Sequence, residues 1–159
     1  MKRVLGTISY VVAVGLAGGI AWRLAMRLIF GAAQIMLTNP SWQSAKMLNA
    51  FTLSPVPRTS RQPELLWIGL VVIGVFWASI YRFLSVRWDP PWWRKALAFW
   101  LVSWTLMVPW FEFYLPWNVM LEPFPLVAVE LFCWAGVLLV VAFAVAAVDR
   151  IYMRISGAA

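Results

Sequence analysis

The sequence predicts an all-α, polytopic integral membrane protein: four transmembrane helices in a bundle, the first extending beyond the bilayer. Three observations predict it. Of 159 residues, 64% are hydrophobic and only 12% charged, against a usual charged fraction of about 25%. Mean hydropathy is +0.81, and four long apolar stretches account for most of the chain. Twelve tryptophans, several flanking those stretches, match the preference of indole for the bilayer interface. The whole chain, 1–159, reads as a single membrane domain.

The first span is expected over residues 4–37. At 1.5 Å per residue this is roughly 50 Å, longer than the hydrocarbon slab, so the helix must tilt and protrude or bend near Arg23. Lys2-Arg3 followed by an apolar run resembles a signal peptide. The apolar character continues past Arg27 to Leu37, however, and predicts an uncleaved span. Gly15, Gly19, Arg23 and Arg27 recur every four residues and form one ridge. Its glycine half suits close helix packing. Its arginine half needs partners or water, because hydrocarbon does not tolerate lone guanidinium groups.

Residues 38–63 form a long outer loop, with a turn at Asn39-Pro40-Ser41, a short interfacial helix over 42–51 and an irregular stretch through Pro63. A loop this long suits contact with a partner or cover over a site. The second span is expected over 64–83, with Gly69 and Gly74 as packing points. The turn that follows carries the interfacial anchors Trp88, Trp92, Trp93, Arg94 and Lys95, with Asp89 as a helix cap. The third span is expected over 92–114, kinked by Pro109 near Glu112. A compact turn containing Glu122 then leads into the fourth span, 124–148, with Glu130 about two turns in.

Eight cations fall on the side of the two termini (Lys2, Arg3, Arg82, Arg87, Arg94, Lys95, Arg150, Arg154). Five fall on the other (Arg23, Arg27, Lys46, Arg58, Arg61). This split predicts cytoplasmic termini, in a bacterial inner membrane. A formal charge of +7 is then accounted for by helix ends and anionic lipid headgroups, and nucleic acid is not an expected partner.

The absence of histidine and the single Cys133 remove the commonest metal ligand and the commonest neutral-pH base. No metal site is expected, nor a cofactor held through His or Cys. A thiol oxidase of the disulfide-forming kind is disfavoured by the lone Cys133. A small multidrug exporter usually carries its glutamate in the first span, unlike this chain. The aromatic clusters Trp92–Trp93, Trp100–Trp104 and Trp110–Phe113 leave room for a bound lipid, quinone or pigment, although an interface belt explains them more simply.

Arg23, Arg27, Glu112 and Glu130 are all expected towards the outer half of the membrane. They compose a candidate polar cluster, either as interhelical ion pairs or as a wet pocket for an anionic headgroup. A proton relay through Glu112 and Glu130 is a third reading. The leading expectation is a non-enzymatic accessory or scaffold subunit of a larger membrane complex or homo-oligomer, whose partners are lipids, other membrane subunits or its own copies. The alternative is a small transporter or lipid-binding protein using the Arg/Glu cluster. An intramembrane enzyme acting on a lipid headgroup has no motif behind it.

Overall fold

The computed structural model describes residues 2–156 other than 54, 57, 87 and 89, with side chains from residue 7 onward. The roles expected of Lys2, Arg3, Arg87 and Asp89 lie outside the described side chains. The described regular structure is helical: α1 (Lys2–Leu37), α2 (Ala45–Phe51), α3 (Arg58–Arg61), α4 (Glu64–Ser85), α5 (Trp92–Val108) and α6 (Phe124–Ile155). A π-helical stretch, Pro109–Val119, prolongs α5. Four segments are long and apolar enough to cross a membrane: Thr7–Leu37, Glu64–Ser85, Trp92–Val119 and Phe124–Ile155. The chain is thus an all-α integral membrane protein.

α1 runs unbroken for 36 residues, about 54 Å, with no separate element beginning at Arg23. It packs chiefly on α6 and α4, while α5 packs on α6. The interior is built from small side chains, with Val14, Ala78, Ala96, Val141, Ala142, Val145 and Ala146 all fully buried. Small residues matter here because helices in lipid are held by close packing, not by expulsion of water. The glycines carry this furthest. A Cβ added to Gly74 would overlap the Gly15 carbonyl oxygen, and one added to Gly19 would lie 2.8 Å from the Leu70 carbonyl. Gly69 faces open space. α4 reaches α5 mainly through rings, Trp77 and Tyr81 standing edge-on to Phe99 at 5.6 and 5.5 Å.

The α5–α6 contact is pinned by Trp100, whose Nε1 donates to the Ala135 carbonyl at 2.9 Å. Trp100→Phe keeps the ring and removes the donor. It is expected to cost about 0.6–1 kcal/mol, read as a lower unfolding midpoint in mild detergent, whereas the exposed Trp93→Phe leaves the midpoint unchanged.

Pro109 does not break the third span. A proline lacks the N–H and crowds the carbonyl four residues back; the wider π turn moves that carbonyl away and re-pairs the chain at longer spacing. At the far end of the stretch Met120 N donates to Leu115 O at 3.0 Å, the five-residue spacing of a π turn, and Glu122 N closes the following turn on Pro116 O at 2.9 Å. The helix therefore passes Glu112 and Pro116, and the turn expected from Leu115 shrinks to residues 120–123. Within it Leu121 takes a left-handed φ of 59°. α6 also continues one to two turns past residue 148, so Asp149 is buried and accepts a hydrogen bond from the Tyr10 hydroxyl at 2.9 Å.

Candidate functional site

α6 starts directly after Pro123, whose extended backbone sets the helix entry. Glu130 lies on the inner face of its first turns, in line with Val137 and Val141, and is 2% exposed. Glu122, just before the helix, is also 2% exposed. The two carboxyls approach closely enough to share a proton, and Glu112 bears electrostatically on both. Glu112 is held by the Trp134 indole. That ring in turn stands edge-on to Phe30 at 5.4 Å, tying the cluster to α1.

The loop after α1 covers this group. Gln43, 8% exposed, donates its Nε2 to Glu122 Oε1 and, at 3.3 Å, to the Leu37 carbonyl. Asn39 accepts from Ser41 N at 2.9 Å, the side-chain turn that redirects the chain. Ser44 caps α2 by accepting from Met47 N. It also donates to the Met120 carbonyl at 2.7 Å, and Lys46 Nζ donates to the Val119 carbonyl at 2.9 Å. Residues 43–46 are thus strapped across the 119–122 turn. Beneath the strap, Oε2 of Glu122 and Oε2 of Glu130 are buried with no hydrogen-bond partner. Two carboxylates so close repel unless a proton or a cation lies between them, and burial without a donor adds a desolvation cost. Among the described residues no group of His, Cys, Asp and Glu is arranged to hold a metal ion.

The arginines stand elsewhere. Arg23 and Arg27 are exposed, and neither is among the groups acting on Glu112 or Glu130. The residues brought together here are the carboxylates Glu112, Glu122 and Glu130, without a described contact to either arginine. The reason lies in register: Gly15 faces Gly74 and Gly19 faces Leu70. One turn further along the same ridge, Arg23 reaches the start of α4, and Arg27 lies beyond it. The arginines thus continue the face that packs on α4, while Glu112 on the α5 extension, Glu122 in the turn and Glu130 on α6 face one another beneath the loop.

Of the interfacial anchors, Trp88 and Trp93 are exposed, with Arg94 over the Trp93 ring at 5.1 Å. Trp92 is half-buried, edge-on to Phe143 at 5.9 Å. Trp100 and Trp104 line an apolar groove of 360 Å³ with Leu131 and Phe132.

Sequence reasoning passed over Glu122 and Gln43. The available signal was a single carboxylate among Met120, Leu121 and Pro123, a turn with no other charge to solvate it. Gln43→Leu removes the donor that Glu122 relies on. It is expected to speed hydrogen exchange in residues 38–51 by about tenfold or more, at the loss of about 1.5 kcal/mol, with the α1–α6 core unaffected. Compared with known proteins, the chain matches no family model, no curated protein and no solved structure.

Proposed function

We propose that the chain is a small, non-enzymatic carrier that takes up and releases a proton, or another single positive charge, at the Glu122–Glu130 pair. The observation that supports this reading is the pair itself. Both carboxyls are 2% exposed, each keeps one oxygen without a donor, and no arginine or lysine acts on Glu130. An ionisable group kept inside a membrane protein without a fixed counter-charge is a functional group by default. The Gln43 strap supplies the cover such a site opens to exchange its cargo. On the eight-to-five cation split the protein is assigned to a bacterial inner membrane with cytoplasmic termini, which places the strap on the outer side.

Proteoliposomes carrying a pH-sensitive dye test the reading. Under an imposed pH gradient the wild-type protein is expected to pass protons, and Glu122→Gln and Glu130→Gln to abolish the flux. Lys46→Gln, on the exposed side of the strap, retains it. Equal flux in all four proteins, or none in the wild type, overturns the reading.

One observation favours the accessory-subunit reading beside it. α4 leans mainly on α1 and leaves Trp67, Ile68, Val71, Val72, Phe76 and Phe83 exposed along its length. Native mass spectrometry after mild detergent extraction separates the two. A second protein in fixed ratio supports the subunit, and the chain alone with lipid contradicts it.

A further inference from the structure

A cavity of 690 Å³ opens at the end of the bundle that carries both termini. Among the described residues, Arg82, Lys95, Arg150 and Arg154 line it together with the carboxylate of Asp149. That carboxylate accepts the Tyr10 hydroxyl at 2.9 Å and offsets one positive charge, so the three arginines still outweigh it. Two of the guanidinium groups are already oriented by the fold. Arg82 lies over the Tyr10 ring at 5.2 Å with Nη1 3.8 Å from the Met153 sulfur. Arg150 lies over the Trp92 ring at 5.7 Å. The cavity floor is the start of α5, where Pro91 precedes the helix. The first N–H groups of that helix and its dipole therefore favour an anion at the same place. Val86, Pro90 and Trp92 give the rim an apolar edge, where α4 and α6 both reach the end of their apolar segments.

We propose that this cavity binds the phosphate of an anionic phospholipid headgroup. Oriented guanidinium groups suit a phosphate, since they bind its oxygens in pairs. A cationic pocket at the ends of membrane helices, with an apolar rim for the glycerol and upper acyl chain, fits a headgroup better than a freely diffusing solute. The site is separate from the carboxylate cluster, which lies at the opposite end of the bundle, and it does not depend on the proton reading.

The test is retention of phosphatidylglycerol by the full-length protein, exchanged from phosphatidylcholine nanodiscs of rising phosphatidylglycerol content and read by native mass spectrometry. Arg150→Gln with Arg154→Gln is expected to weaken retention roughly 25-fold, at about fivefold per cation. Arg58→Gln with Arg61→Gln, two cations at the opposite end of the bundle, leaves it unchanged. Circular dichroism and gel filtration identify any variant that fails to fold; Arg154→Gln alone, at an exposed position, then replaces the pair, with a loss of about fivefold expected. Equal retention in the cavity variants, or equal loss in the Arg58/Arg61 variant, overturns the site. If inorganic phosphate raises the unfolding midpoint and phosphatidylglycerol does not, the occupant is a soluble phosphate and the lipid assignment fails.

Discussion

Replacing Gly74 with leucine is expected to separate α4 from α1 and to destabilise the protein by more than about 3 kcal/mol. The Gly15 carbonyl oxygen would overlap the new Cβ alone, before the rest of the side chain is placed. That oxygen belongs to helix backbone, so it cannot swing aside as a flexible side chain would. Gly15→Leu meets the Gly74 backbone at 3.0 Å and is expected to act in the same direction with smaller effect. Gly69→Leu is the control: it points into open space and shifts stability by less than about 0.5 kcal/mol. Unfolding titrations in mixed micelles, with surface expression as a second reading, measure all three. Equal behaviour of Gly69→Leu and Gly74→Leu would mean that α1 and α4 are not in backbone contact.

At the carboxylate cluster, Glu130→Gln and Glu130→Leu are expected to diverge in stability while agreeing in activity. The amide of glutamine has nearly the shape of the carboxyl and offers Glu122 Oε2 a donor without needing a shared proton, so the repulsion of the deprotonated pair is exchanged for a charge-assisted hydrogen bond. This stabilises the fold by about 1–2 kcal/mol. Leucine leaves Glu122 Oε2 as unsatisfied as before and gives no such gain. Both remove the shared proton position, so both stop proton flux through proteoliposomes. A protein in which Glu130→Gln is destabilising would show that the Glu130 charge is already satisfied by an opposite charge.

The periodicity that makes Gly15 and Gly19 a packing ridge is visible in the sequence, because four-residue spacing on a helix defines a face irrespective of neighbours. The same spacing at Arg23 and Arg27 does not say what those side chains meet. A ridge says which residues look the same way, not where the neighbouring helix ends, and α4 begins only at Glu64. Opposite charges at similar depth suggested ion pairs, yet depth alone does not bring two faces together. Glu112 was harder still, since the π-helical stretch changes the direction of each side chain after Pro109. No hydrophobic period encodes that change. Glu122 lies in a turn, where no period operates at all, and its burial comes from Gln43, 79 positions away in sequence. The four apolar segments, by contrast, follow from composition alone.

Proximity labelling in native membranes tests the cluster most directly. In a Cys133→Ser background, a short bifunctional thiol reagent is applied to Gln43→Cys paired with Glu122→Cys, and to Arg23→Cys paired with Glu130→Cys. Cross-linking of the 43–122 pair with none of the 23–130 pair is the result expected if the outer loop straps the glutamates and the first-span arginines stand apart. The reverse pattern would restore the arginine–glutamate site and remove the carboxylate pair on which the carrier reading rests.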